Sequence, residues 1–316
     1  MIDPDFLAFD KNGLYCREGD FYLDPQEPVK NAVISHAHGD HARSGNTRVY
    51  CTAPTRDIMQ LRFKKNAAIN FYPFSYHQQF NINGVGITFF PAGHILGSAQ
   101  VLMEFKGMTY LYTGDFKLQP DATCEPLEFV KADVLITEST FANPLVQHPD
   151  PVSEIQKLNA VHHNILLGAY SLGKSQRIIK LINQFCPERR ILVHHTILPI
   201  NKVYEKFAFN LGSYQPYNRK LMKQPVTNYV YIVPPLTFDS YFRAKNVLRV
   251  FASGWKNLMA HNDLELLISD HADWKDILKM VTEVKPAEIW TLHGEGKFLK
   301  EYFSESKKVK ILQHAN

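Results

Sequence analysis

Three histidines and an aspartate stand within six residues, His36-Ala-His38-Gly-Asp40-His41, directly after an apolar run that reads as a strand, Val29–Ser35. A tight turn leaving a strand points alternate side chains inward, so these imidazoles and this carboxylate can converge on one cation or two. Nitrogen and oxygen ligands without a thiolate suit zinc or manganese in a reactive site better than a purely structural zinc. The competing reading, a polar loop with coincidental histidines, sits poorly with so close a spacing. A chain built around this loop has to fold so that further ligands arrive at the end of that strand.

At 316 residues the chain is long enough for about two domains, and 45% hydrophobic against 21% charged residues supports full cores. No apolar run approaches the roughly 18 residues of a membrane span. The acidic start Met1-Ile-Asp-Pro-Asp5 lacks the basic opening of a secretory signal. Cys16, Cys51, Cys124 and Cys186 are scattered, with no CxxC pair, which argues against a disulfide framework and predicts a reducing, cytoplasmic setting. They are expected as small core residues.

The first 142 residues read mostly as strands, among them Val85–Phe90, Gln100–Phe105, Met108–Thr113 and Asp133–Thr137, with one helix from about Pro54. From Val152 helix and strand alternate: helix Ser153–Val161, strand Asn164–Ala169, helix Lys174–Phe185, strand Arg190–His194, helix Pro199–Phe209. Such alternation predicts a parallel αβα unit. Strand Leu264–Ser269, helix Trp274–Val284, strand Glu288–Leu292 and a helix from Lys297 close the chain. The net charge is only +4, but Pro144–Glu265 holds 15 Lys and Arg against 7 Asp and Glu, while the remainder holds 20 against 24. A basic middle inside an acidic frame fits a polyanionic partner, although an uneven solvated surface would give the same count.

Further motifs follow the histidine loop in a telling order. Tyr22-Leu-Asp24 precedes it; Pro91-Ala-Gly-His94-Ile-Leu-Gly-Ser98 and Thr113-Gly-Asp115-Phe116 come after it. Together they resemble the metallo-β-lactamase fold. Thr137-Glu138-Ser139-Thr140-Phe141, Ser269-Asp270-His271-Ala-Asp273 and Leu292-His293-Gly-Glu295 resemble motifs A, B and C of the β-CASP nucleases, the group of Artemis and of the polyadenylation endonuclease. Phe21-Tyr-Leu-Asp-Pro25 and Ser269-Asp-His-Ala-Asp-Trp274 look most like the bacterial ligase-associated DNA exonucleases.

The resemblance implies an α/β protein: a four-layer αββα metallo-β-lactamase sandwich, residues 1–142 and 265–316, with an inserted αβα β-CASP cap, residues 143–264. That insertion coincides with the basic segment, which would make the cap the wall that faces nucleic acid. It further implies that His36, His38 and His94 hold one divalent ion, that Asp40, His41 and His293 hold a second, and that Asp115 bridges them. Zinc is the favoured metal and manganese the alternative. Asp24 would support the metal loop. Asp40 and Asp115 would belong to the catalytic set with His271, which would serve the leaving oxygen, kept oriented by Glu138, Asp270 and Asp273. The implied activity is phosphodiester hydrolysis in DNA repair, with DNA favoured over RNA as partner, a functional association with a DNA ligase, and no membrane.

Gly168-Ala-Tyr-Ser-Leu-Gly173-Lys174-Ser175 matches GxxxxGK[ST] after a strand and before a helix. Motif A already accounts for the carboxylate that an NTPase would need, so the loop is expected to hold a nucleic-acid phosphate through Ser171, Gly173, Lys174 and Ser175. The histidines at 77, 148, 162, 163, 194, 195, 261 and 314 have no ligand spacing and are expected at surface or core positions. An RNA-processing nuclease would use the same chemistry, since nothing local reports on the 2′-OH. A small-molecule metallohydrolase would not need motifs A to C or a basic cap. An inactive binding module would have lost ligands, and all seven are present.

Overall fold

A computed structural model describes residues 2–222, 228–241, 247–256, 262–294 and 296–312. The chain divides into two compact units: Met1–Pro120, Cys124–Gln147 and His271–Asn316 form the first, Asp121–Thr123 and His148–Asp270 the second.

Among the described residues the first unit holds two sheets. One has six strands in the order Leu7–Asp10, Gly13–Cys16, Phe21–Leu23, Asn31–Val33, Asn46–Cys51, Ala68–Pro73. The other has seven, ordered Lys308–Ile311, Glu288–Gly294, Val134–Ser139, Met108–Tyr112, Ala99–Phe105, Val85–Pro91, Gln79–Ile82. Strand periodicity decides which side chains meet. Tyr110, Tyr112, Val134, Ile136, Trp290 and Leu292 point into a core shared with Leu14, Phe21, Leu23 and Val33 of the first sheet. The alternate residues Leu111, Leu135 and Ile289 point the other way, against Trp274, Ile277, Met280, Val281 and Leu299 of the two C-terminal helices. A strand buried on both faces has to be apolar throughout, which is why these segments read as continuous hydrophobic runs. The helix Ala53–Phe63 crosses between the parallel strands Asn46–Cys51 and Ala68–Pro73, burying Ile58 and Met59. The result is the metallo-β-lactamase arrangement of paired sheets with helices outside them.

The helix Trp274–Val284 starts where Asp273 Oδ1 accepts from the N–H groups of Lys275 and Asp276. Ile277, Met280, Val281 and Val284 form its buried face. Burial and the neighbouring Asp273 push the Asp276 carboxyl up to about 6. A carboxyl whose pKa rises on folding holds its proton more tightly in the native state. Its favourable contribution is therefore complete below the unfolded value near 4 and is lost as pH rises through about 6. Asp276→Asn is expected to raise stability at pH 7 by about 1 kcal/mol or less, since the side chain is partly solvated. The gain should vanish towards pH 4, read as Tm against pH.

Among the described residues the second unit carries one sheet, ordered Gln215–Pro216, Arg190–Val193, Tyr229–Val233, Asn164–Gly168, Val247–Ser253, Leu264–Leu267, its strands paired in parallel. Leu166, Tyr229, Tyr231, Val233 and Phe251 pack on one face with Phe238. The predicted helices Lys174–Phe185 and Trp274–Val284 are found with those bounds. Ser153–Val161 is instead a helix over Pro151–Gln156 followed by a 3₁₀ turn, because Asp150 caps the Ser153 N–H two residues earlier than expected. The strands Leu7–Asp10, Gly13–Cys16 and Phe21–Leu23 were not evident in the sequence, being three or four residues long and lacking a clear alternation.

The joints between units differ from expectation. Gln147/His148 and Asp270/His271 replace 142/143 and 264/265. Strand Leu264–Leu267 hydrogen-bonds to Val247–Ser253, so the ladder carries it into the second unit. All four cysteines are buried and unbridged. Among the described residues no helix is long and apolar enough to cross a membrane.

Candidate metal centre

The histidine loop leaves the strand Asn31–Val33 of the six-stranded sheet, and four further site segments lie at or after strand ends of the seven-stranded sheet. His94 follows Val85–Pro91, Asp115 follows Met108–Tyr112, Glu138 lies near the end of Val134–Ser139, and His293 near the end of Glu288–Gly294. Met108–Tyr112, Val134–Ser139 and Glu288–Gly294 run parallel, which brings Asp115, Glu138 and His293 to the same end of their sheet.

The centre is Asp115 Oδ2. His41 Nε2 lies 3.2 Å from it, His36 Nε2 3.5 Å, His94 Nε2 3.8 Å and His271 Nδ1 3.8 Å. His38 joins through its Nδ1, 2.9 Å from His94 Nε2. The His293 ring lies 5.0 Å from that of His41. Asp40 stands outermost: its carboxylate is 75% exposed and 3.9 Å from His41 Nε2. Asp40 and His293, with Asp24, Gln26 and Tyr112, line a cavity of about 560 Å³.

Two local irregularities aim these side chains. Glu138 pairs with Leu292 but Ser139 with Gly294, leaving His293 as the extra residue of a bulge, at φ +52°. Bulges re-aim side chains in this way. Gly294 cannot carry a Cβ, which would fall 2.2 Å from the Ser139 carbonyl oxygen. Gly114, at φ +54°, lets the Asp115 turn approach Ser35, where a Cβ would sit 2.8 Å from the hydroxyl oxygen.

Asp24, itself at φ +44°, accepts from Ser35 N at 2.7 Å and, at Oδ2, from Ser35 Oγ at 2.5 Å and Tyr112 OH at 2.8 Å; His41 Nδ1 lies 2.8 Å away. Strain of this kind persists where surrounding contacts over-determine it. Asp24 therefore sets both the loop's path and the orientation of His41. Ser35, Tyr112, Lys117 and Arg62 were missed in the sequence. Lys117 Nζ donates to the His94 carbonyl and Arg62 to the Ala37 carbonyl, contacts 23 and 25 residues apart that no short motif announces.

The electrostatics fit a cation. Burial, with the neighbouring imidazoles, drives His36 and His94 well below the usual histidine range, and burial with His41 lowers His293. Those rings offer lone pairs. Burial would lower His41 too, but the Asp115 and Asp24 carboxylates reverse it and hold His41 well above its ordinary value. Burial would raise Asp115, yet His41 and His271 hold it well below the carboxylate range. His41 thus sits between two buried carboxylates that favour positive charge at this place. The buried His36 Nε2 has no hydrogen-bond partner, and His38 and His94 turn ring nitrogens towards each other. His36, His38, His94 and Asp115 bring ligand atoms within 4.8 Å of one another, as do Asp24, His36 and His41. A buried imidazole nitrogen without a hydrogen-bond partner, set among other ligand atoms and facing a carboxylate, is what a metal site presents before its ion.

A family model described as "Beta-lactamase superfamily domain" matches residues 8–195. The chain belongs to the metallo-β-lactamase superfamily. It is similar to a "Probable DNA ligase" of Opitutus terrae, 31% identical over 298 residues, covering 90% of this chain and 28% of that protein. An "RNase J-like protein" of Methanocaldococcus jannaschii is 29% identical over 50% of this chain and 44% of its own length. An "Endoribonuclease YSH1" of Mycosarcoma maydis is 28% identical over 50% of this chain and 22% of its own. The chain thus spans less than half the length of these curated relatives. A crystal structure of a protein of unknown function from Enterococcus faecalis V583 shares the fold, with a TM-score of 0.60 at 16% identity, covering 91% of this chain and 80% of that one.

In this superfamily member His271 lies beside the centre, its Nδ1 2.9 Å from Glu138 Oε2, while Glu138 Oε1 accepts from Phe116 N at 2.8 Å. Asp270 and Asp273, expected to orient His271, also anchor the chain on either side of it. Asp270 pairs with Lys174 and Arg177, and Asp273 caps its helix.

The phosphate loop needs correction. Lys174 is buried, 3.0 Å from Asp270 Oδ2, rather than reaching for a ligand. Gly173 N donates to Gln176 Oε1, Ser175 N and Oγ donate to the Tyr170 carbonyl, and the Ser171 carbonyl accepts from Gln176 Nε2. Donors satisfied inside the loop do not cradle an anion. Glu295, His261 and His314 lie outside the described residues. His148, expected at surface or core, is buried, with Nε2 3.2 Å from the Gly254 carbonyl oxygen.

Asp24→Asn is expected to keep the fold and weaken metal affinity about 10–100-fold, because the amide cannot accept from all these donors and lets His41 rotate. A competition titration against a chelator reads this directly. Unchanged affinity would limit Asp24 to shaping the loop.

Proposed function

We propose that this chain is a metal-dependent nuclease that hydrolyses phosphodiester bonds, acting as a DNA exonuclease in repair. The observation that carries the reading is a single carboxylate oxygen, Asp115 Oδ2, with four imidazole nitrogens 3.2–3.8 Å away, one of them held by a buried glutamate. His36, His38 and His94 would hold one ion, Asp40, His41 and His293 the other, and Asp115 both, with zinc preferred and manganese the alternative. When bound, such a pair lowers the pKa of water towards about 7 and neutralises charge developing on a phosphoryl group.

The protein's own part is positioning and proton transfer. Glu138 receives His271 Nδ1, leaving Nε2 to deliver a proton to the departing oxygen. The Phe116 N–H holds the second Glu138 oxygen, so the carboxylate cannot swing away from the imidazole. Asp24 keeps His41 directed at Asp115 through its contact with Nδ1.

Support for DNA comes from coverage. The relative named as a probable DNA ligase aligns over 90% of this chain, and the relatives named for RNA cleavage over about half of it. The same name supports a functional association with a ligase. Four buried, unbridged cysteines suit the cytoplasm. The test is digestion of 5′- and 3′-labelled DNA and RNA, single- and double-stranded, with metal restored after chelation. Stepwise shortening of DNA that returns with metal is expected. Preferential cleavage of RNA would move the protein to RNA processing, and no cleavage of either would end the nuclease reading.

A further inference from the structure

The loop that reads as a phosphate cradle has another use. Lys174 Nζ lies 3.0 Å from Asp270 Oδ2, and Arg177 Nη1 lies 3.1 Å from Asp270 Oδ1, so each carboxylate oxygen meets its own cation. The same two side chains hold the preceding backbone: Lys174 donates to the Ile268 carbonyl and Arg177 to the Ser269 carbonyl. Arg177 Nε also faces Asp121 at 3.5 Å. Lys174, Arg177 and Asp270 are 4%, 1% and 7% exposed.

Buried charges are costly unless paired and hydrogen-bonded, so a segment whose carboxylate and carbonyls are held by two buried cations cannot shift without leaving charge uncompensated. The segment so fixed, 268–270, ends one peptide bond before His271, whose imidazole has to keep its place on Glu138. A small misplacement of a reacting group costs far more rate than stability.

We propose that Lys174 and Arg177 are positioning residues for His271, acting through Asp270 and the backbone of residues 268–270. The inference rests on the proposed role of His271 in phosphodiester hydrolysis. It assigns the GxxxxGK[ST] match to the alignment of a proton donor rather than to any phosphate.

Lys174→Met keeps the length and apolar stem of the side chain, and Asp270 retains Arg177, so the variant is expected to fold. Its kcat should fall about 10- to 100-fold with KM within twofold of wild type and metal content unchanged. The discriminating measurement is a double-mutant cycle with His271→Ala, read by single turnover. If Lys174 acts through His271, the lysine substitution should change the rate less than twofold once the imidazole is gone. The same 10- to 100-fold loss persisting in that background would mean a general structural role and overturn the proposal. So would a raised KM with a flattened salt dependence and unchanged kcat, the signature of a phosphate contact. Hydrogen exchange of the amides at 269–272 supplies a readout that needs no activity. Faster exchange in metal-free Lys174→Met supports the clamp, and unchanged exchange overturns it. A wild-type protein without nuclease activity would sink the proposed function while leaving that exchange result to decide the clamp.

Discussion

Asp115→Ala is expected to reduce phosphodiester cleavage to background and to lower bound metal below the wild-type ratio. The reason is geometric. One oxygen of this carboxylate faces His36, His41, His94 and His271, so its removal disturbs three of the proposed ligands and the proposed proton donor at once. It also removes the buried negative charge that, with Asp24, holds His41 well above its ordinary range. With that charge gone, no buried carboxylate offsets the charge of a cation among the imidazole nitrogens, and affinity for the proposed ions falls. Asp115→Asn separates the causes, since it preserves shape and removes charge. Both variants should be inactive, with the asparagine form closer to wild type in thermal stability of the metal-free protein. Metal analysis beside single-turnover cleavage decides the matter. Near-normal turnover with two ions per chain would remove Asp115 from the centre.

His271→Ala should separate metal binding from rate. Its imidazole lies 3.8 Å from Asp115 but 2.9 Å from Glu138, and it retains 27% side-chain exposure where His36, His41 and His94 are buried. That placement suits a group that meets substrate. The variant is expected to keep its metal and its fold while losing about 10²–10⁴-fold in rate, the range for a general acid. Glu138→Gln should follow it in direction, because an amide can still contact Nδ1 yet no longer stabilises a protonated ring. Leaving groups that need no proton test the same point: an activated phosphodiester should recover most of the lost rate in His271→Ala. Loss of an ion from His271→Ala would instead make it a ligand.

The clustering of candidate ligands was legible early because its parts are local. His36, His38 and His41 occupy one turn, Asp115 follows a Thr-Gly step, and His94 sits between small residues; such short patterns survive without knowledge of the fold. Helices with a full apolar face, such as Trp274–Val284, were equally visible, since period alone identifies them. The Lys174 loop misled for the same reason. Its spacing matches a phosphate cradle, but spacing says nothing of burial, and Asp270, 96 positions on, claims the lysine.

The sequence by itself determined which side chains could bind a cation, where most helices and strands run, and that a basic segment interrupts the frame. Tertiary structure alone decided the rest. The bulge that turns His293 inward depends on register between strands more than 150 residues apart. The hold of Asp24 on His41 and Tyr112, the hold of Lys117 on the His94 carbonyl, and the return of Leu264–Leu267 to the second unit's sheet are likewise long-range contacts. A local motif encodes the donors, because bonding geometry within a turn is set by a few neighbouring dihedrals. Direction, burial and charge state are set by whatever the chain packs against them, and that is decided only when distant strands align.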